Sequence, residues 1–411
     1  MTRASPSRRL VVLCPHFAPD TAPTGHVMTR IVDELAQQGC RIDVVTSLPW
    51  YREHAIEPSW KGRLLRRQTT DWGTITRVHP FPGGDRRSLP RRAAGFGVFS
   101  VLAGLAGLAA GGLFAKADAV LAMSPPLTMG LTGRLVAWGH RCALVFNIQD
   151  VFPDAAIETG AITNRRVIAG ARWLERVSYR AADAVTVLSD DLHDNVAAKL
   201  GGARVHTIPN FVDTDAIGPM DRMTPLRRAL GIGDEPVVLY AGNIGFSQSL
   251  ALLLGAAGRR PDVTFLINGE GSSRTELQQM ALGMPNVRFG DFVPAARLSE
   301  LLATGDIHVV ALHAGLARLS VPSKTYSILA AGRPVLASID PGTEIPRILA
   351  ASGAGIAVAP DDQAAFDDAL DTMLADPAAA TAMGRAGREW VQRAASPSAV
   401  AGMYRTLVDE L

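Results

Sequence analysis

The chain writes one pattern twice: short apolar runs of strand length, separated by loops of small residues and by segments of helical periodicity. Arg9-Leu-Val-Val-Leu-Cys14 is the first such run. After the loop Pro15–Thr24 comes a helical pattern, Val27–Gln38, with Val27, Ile31 and Leu35 on one face and Gly39 as its stop. Ile42–Thr46 is the next strand, and two parallel strands joined in this way need a crossover helix of right-handed sense. Ala119–Ala122, a helix through Gly130–His140, Ala143–Ile148, Ala184–Leu188 and Val205–Ile208 extend the series. It restarts with Val237–Tyr240, a helix over Leu250–Ala257, Val263–Ile267 and Val287–Phe289. A helix over Arg297–Ala303, Ile307–Leu312, a helix over Tyr326–Ala331, Pro334–Ser338 and Gly355–Val358 complete it. At 411 residues the chain is too long for one ordinary core. The pattern predicts an α/β protein with two Rossmann-like, doubly wound parallel-sheet domains, 1–215 and 216–396, facing a central cleft. The join falls near Asp213–Asp234, where Pro, Gly, Asp and Arg accumulate.

Charge narrows the function. The balance of 41 Lys and Arg against 39 Asp and Glu gives a net charge of +2, which argues against bulk nucleic-acid binding. Cys14, Cys40 and Cys142 are too few for a disulfide framework and too dispersed for a metal spacing, so a reducing cytoplasm is the expected compartment. The apolar run Leu10–Leu13 is too short for a signal peptide. Ala93–Ala115 carries no charge; Arg86, Arg87, Arg91 and Arg92 precede it and Lys116 follows. It is long enough to span a bilayer but mostly Ala and Gly. Three readings stand: a helix on a sheet or a membrane surface, a buried core helix, or a span. The arginines favour an anionic lipid surface, so residues 86–116 are the expected peripheral membrane contact.

Ligands of open α/β sheets sit beyond the carboxyl ends of the strands, so the loops there hold the candidates. His16 and Gly25 belong to the first such loop, which opens a helix in the manner of an anion site. Ser124-Pro125-Pro126 and Asn147 follow or end later strands. In the second half, Asn243, Gly245, Ser247 and Gln248 follow the first strand, where glycines let backbone approach a ligand. Glu270 follows the next strand, in Asn268-Gly-Glu-Gly271, and Glu344 opens a helix after a later one. The fullest signal is Val321-Pro-Ser323-Lys324-Thr-Tyr-Ser327 through Gly332-Arg-Pro334. Ser323 and Lys324 start a helix there, and the ammonium could neutralise a diphosphate leaving group.

In order, Pro19-Asp20 through Gly25, Gln149-Asp150-Val-Phe-Pro153-Asp154, Ala182–Ser189, Pro209–Asp213, Tyr240–Gly245, Gly269–Gly271 and Val321–Pro334 cover nearly the whole chain. This order resembles the family 4 retaining glycosyltransferases, which have the GT-B fold. The nearest branch makes O-antigen, capsule or colanic-acid exopolysaccharides and includes N-acetylfucosamine transferases. The resemblance implies a UDP- or GDP-sugar donor held mainly by the second domain, through Asn243, Gly245, Ser247, Gln248, Glu270, Ser323, Lys324, Ser327 and Glu344, with Gly25 of the first. It implies a polyprenyl-linked or other membrane-associated acceptor on the first domain, near His16, Ser124, Asn147 and Asp150. Asp150 and Lys324 are the catalytic candidates, with no metal and no cofactor. The last helix, 397–411, would cross back onto the first domain, and the enzyme would work at the inner face of the plasma membrane.

The chain departs from that family where it usually carries two glutamates; Leu319 and Ser327 stand at those positions. Two alternatives stand beside the transferase, the first suggested by this loss and the second by the shared double-Rossmann architecture. One is an inactive donor-binding or scaffold partner in a polysaccharide assembly complex. The other is a nucleotide-sugar 2-epimerase, which the missing carboxylates disfavour.

Overall fold

The computed structural model describes residues 8–52, 55–82, 89–112, 115–154, 157, 162–200, 204–291, 293–317 and 321–411, with 89–93 and 295 as backbone only. Arg86, Arg87 and Leu319, and the side chains of Arg91 and Arg92, lie outside the described residues. The chain divides into two compact units, one reaching Asn210 and including Val400–Leu411, the other Phe211–Ala399.

Among the described residues the first unit carries an eight-stranded sheet in the order β3-β4-β2-β1-β5-β6-β7-β8. Its strands are β1 (Arg9–Leu13), β2 (Arg41–Ser47), β3 (Leu65–Thr70), β4 (Gly73–Val78), β5 (Ala119–Ser124), β6 (Ala143–Ile148), β7 (Ala184–Val187) and β8 (Val205–Thr207). All pair in parallel except β3, which runs antiparallel to β4 at the edge. The chain steps from β1 to β2 in one direction and from β5 to β6 in the other. Right-handed crossovers then place the helices Pro23–Gln37 and Thr128–His140 on opposite faces. Central strands read as unbroken apolar runs because helices cover both of those faces. The hairpin β3–β4 is not among the predicted elements. Its strands, Leu-Arg-Arg-Gln-Thr-Thr and Gly-Thr-Ile-Thr-Arg-Val, are largely polar because an edge hairpin needs less apolar cover.

The helix after β1 begins at Pro23, four residues before its predicted start, since proline is pre-set for a first turn. The uncharged stretch forms the helix Leu89–Leu108, which buries Phe99 and Ala103 against the sheet and exposes Val98, Val101 and Leu105. Among the described residues, no helix is long and apolar enough to cross a membrane. The helices Leu89–Leu108 and Arg165–Ala181 both pack against Thr128–His140, so the three form one layer. On the other face the last helix, Pro397–Glu410, is pinned by Tyr404, whose hydroxyl accepts from Asn147 Nδ2 at 2.7 Å.

Among the described residues the second unit has a six-stranded parallel sheet in the order β11-β10-β9-β12-β13-β14. Its strands are β9 (Val237–Ala241), β10 (Thr264–Asn268), β11 (Val287–Gly290), β12 (Ile307–Ala311), β13 (Val335–Ser338) and β14 (Gly355–Val358). Here, too, the strand order reverses beside the first strand, between β9 and β12, which is where such sheets leave a crevice.

Candidate functional site

In the first unit a cavity of about 410 Å³ opens beside the reversal point between β1 and β5. His16, Thr24, Trp50, Tyr51, Phe96 and Asp150 are among its lining residues. His16 is buried, and its place is fixed on three sides. Its Nδ1 lies 2.7 Å from the Asp20 carboxylate. Its ring stacks on Trp50 at 5.4 Å and meets the edge of Tyr51 at 5.5 Å. Asp20 in turn accepts from the Tyr51 backbone N–H at 3.2 Å. Asp150 lines the same cavity, and desolvation by the cavity walls raises its carboxyl above the ordinary aspartate range. A carboxyl raised in this way, lining the same cavity as a clamped imidazole, can hold or pass a proton.

The other expected acceptor-side groups behave differently. Ser124 is fully buried; its hydroxyl has no hydrogen-bond partner among the described residues, and the next residue, Pro125, lines the cavity. Asn147 is also fully buried, but both ends of its amide are used. Nδ2 donates to Thr186 and Tyr404, at 3.0 and 2.7 Å, and Oδ1 accepts from Gln149 at 2.7 Å. It ties the last helix to the sheet and does not line the cavity. Asp154, from the same motif, is an ion-pair partner of Lys199 at 2.7 Å. Gly25 is set by packing: a Cβ there would lie 2.8 Å from that of His16. Pro23 and Thr24, not Gly25, reach the cavity wall.

In the second unit a cavity of about 440 Å³ lies at the carboxyl ends of β9 and β10. Gly242 and Asn243, Gly269 and Glu270, and Ser323, Lys324 and Ser327 contribute its polar side. Leu298, Leu301, Leu302 and Val293 make an apolar wall. The helix Lys324–Ala330 starts two residues before its predicted position, which puts Lys324 in its first turn. Lys324 Nζ donates to the Tyr240 hydroxyl at 2.7 Å and lies 3.9 Å from the centre of that ring. Tyr240 passes the chain on to the Asn243 carbonyl at 2.5 Å. Gly242 is needed beside them for its φ of +144°, and a Cβ there would also crowd Nζ at 3.0 Å. No carboxylate among the described residues pairs with Lys324, and burial pushes its pKa down to about 7. A half-buried, desolvated ammonium with only a phenol for company is a site short of negative charge.

Not every expected donor residue joins it. Gly245 and Gln248 brace their own loop, the Gln248 side chain accepting from the Gly245 N–H at 2.9 Å. Ser247 is exposed and its carbonyl accepts from the His313 N–H at 3.0 Å. Glu270 lines the cavity but pairs with Arg274, and Glu344 pairs with Arg347 at 3.3 Å, away from the lining residues. Sequence reading missed Tyr240, Trp50 and Tyr51, and gave Asp20 no role of its own. Asp20, four residues after His16, was the one visible signal among these.

Lys324 gives the second cavity a pH signature. A bound diphosphate would raise the lysine's pKa, so binding takes up a proton. Affinity should be greatest below about pH 7 and fall by up to ~10-fold per pH unit above it. Calorimetric titration of a nucleoside diphosphate between about pH 7 and about pH 9 checks this, and a flat profile would remove Lys324 from the contact.

Residues 24–210 match the glycosyl transferase 4-like domain, and residues 235–376 match the glycosyl transferases group 1. WcaI of Escherichia coli, named for colanic acid biosynthesis as a glycosyl transferase, is 26% identical over 83% of this chain and 85% of its own. A GDP-mannose-dependent phosphatidylinositol monomannoside mannosyltransferase of Mycolicibacterium smegmatis is 32% identical over 51% of this chain and 57% of its own. Among solved structures, Anabaena HepE in complex with UDP superposes with a TM-score of 0.68 at 13% identity, over 98% of this chain and all of that one.

Proposed function

The chain belongs to the glycosyl transferase 4-like and group 1 enzymes of the GT-B fold, and from that premise we propose how it works. It moves a hexosyl or N-acetylhexosaminyl group from a UDP- or GDP-sugar to a membrane-associated glycan or lipid, such as a polyprenyl-diphosphate-linked sugar. Transfer is retaining and independent of metal, at the inner face of the plasma membrane. The observation that carries the donor half is Lys324, a desolvated ammonium at a glycine-lined cavity with no carboxylate to neutralise it. Placed on the diphosphate, it would stabilise the charge that grows as the sugar bond breaks, the task a divalent cation performs elsewhere. The names of the relatives support a UDP or GDP donor, and a lipid acceptor in one case. His16 and Asp150 then serve the acceptor hydroxyl, whose proton passes to the departing phosphate in front-face transfer.

Calorimetric titration with UDP, GDP and ADP, with and without a divalent metal, tests this reading. One nucleotide is expected to bind at micromolar Kd in both conditions, and its sugars then become the donors to assay. Binding that requires the metal would overturn metal independence. Ser327, which lines the donor cavity where the family resemblance leads one to expect a glutamate, favours a second reading as a donor-binding partner without turnover. Tight nucleotide binding with no sugar hydrolysis and no transfer would establish that reading instead.

A further inference from the structure

The three helices layered on one face of the first sheet turn a shared apolar surface outward. On Leu89–Leu108 the outward stripe includes Val101 and Leu105, exposed by 63% and 61%. On Thr128–His140 it is Leu131, Leu135 and Trp138, spaced one helical turn apart, with Trp138 exposed by 79%. The helix Arg165–Ala181 buries Glu175, Ser178 and Tyr179, so the pole opposite them is Trp173, exposed by 59%. Arg166, Arg176 and Arg180 surround Trp173 on that pole, all exposed and none with an acidic partner among the described residues. The helix carries one acid, Glu175, and that is turned inward onto Lys199 at 2.6 Å. Such a face presents aliphatic side chains on two helices, an exposed tryptophan on the central and on one outer helix, and arginine cations beside the second, without opposing carboxylates.

We infer that this three-helix face is the surface by which the enzyme lies on an anionic phospholipid bilayer, with Trp138 and Trp173 at headgroup depth. The charge pattern selects the occupant: arginines beside exposed indoles fit phosphate headgroups over acyl chains. A position along the sheet supports it. Gly95 and Phe96, one to two turns before Val101 on the same helix, line the cavity that holds His16 and Asp150. An acceptor anchored in lipid beneath that helix would meet the cavity without leaving the bilayer. The inference rests on the proposed membrane-bound acceptor and extends the contact expected at 86–116 to two further helices.

Flotation of the full chain with vesicles of phosphatidylglycerol and phosphatidylcholine, against phosphatidylcholine alone, tests it. Wild type should float with the anionic vesicles, and its tryptophan emission should shift to the blue. Trp138→Ser with Trp173→Ser, and separately Arg166→Gln with Arg176→Gln and Arg180→Gln, should each lower the bound fraction at least ~10-fold. The thermal and denaturant unfolding of the full chain, followed without lipid by far-ultraviolet circular dichroism, should be unchanged in both sets, which shows that the first unit is folded. Equal flotation of the variants, or no flotation of wild type, overturns the proposal. So does a stable dimer in lipid-free solution that Trp138→Ser dissolves, since the face would then belong to a second copy. Vesicle binding without transfer to any lipid-linked acceptor would instead sink the functional reading and leave this surface standing.

Discussion

Lys324→Ala is expected to lower kcat/KM for sugar transfer by about 10²-fold while the protein stays folded, on the scale of one lost charge-stabilising donor. The side chain reaches Tyr240 through a single hydrogen bond and pairs with no carboxylate among the described residues. Removing it therefore strands no buried counter-charge, which is why stability should be spared. The loss should fall mainly on kcat if the ammonium meets charge that grows during bond breaking, and on KM if it only holds the ground-state diphosphate. Arginine at this position keeps the charge but not the compact head that fits beside Gly242, so it should restore only part of the rate. Steady-state kinetics with the cognate donor decide the matter, and unchanged kinetics would exclude Lys324 from the reaction.

Gly269→Ala should be among the most damaging small substitutions in the second unit, costing roughly 3 kcal/mol or more. Gly269 has φ +140°, and an added Cβ would run into the backbone carbonyl of Gly242. The turns after β9 and β10 thus lie backbone against backbone, and neither has room to yield. Gly283→Ala is the control. That residue also has a positive φ, +86°, but nothing lies within 4 Å of its Cβ position, so only the conformational penalty of about 1 kcal/mol applies. Denaturant midpoints should separate the two clearly. Equal costs would mean that the close approach of the two turns contributes nothing.

Strands whose sequence is a nearly unbroken apolar run were legible: the buried Ala143–Ile148, apolar but for Asn147, and the half-buried edge strand Gly355–Val358 are found at their predicted bounds. Elements with a polar side were not. The edge hairpin β3–β4 and the arginine-rich helix Arg165–Ala181 owe their positions to tertiary packing that no local apolar run announces. At the site, Lys324 was legible from its place before a helix and a Gly-Arg-Pro turn. The environment that lowers its pKa was not, because Tyr240 lies 84 positions away in sequence. Asn147 shows the converse. A polar residue ending a buried strand invites a functional reading, yet its amide is spent on Thr186, Gln149 and Tyr404. Sequence marks where a polar group stands; which partners reach it is decided by segments far along the chain.

Tyr404 belongs to a helix that is synthesised after the whole of the second unit, and it completes a unit whose sheet was begun before that unit. Val400, Ala401, Tyr404 and Leu407 are all buried there, so without them the nascent first sheet keeps an apolar flank open and Asn147 lacks one acceptor. The second unit, by contrast, is a single uninterrupted segment, Phe211–Ala399, and can close as soon as it has emerged. Order of synthesis and order of completion are therefore inverted. The half that emerges first waits, unfinished, for the whole of the other to be translated.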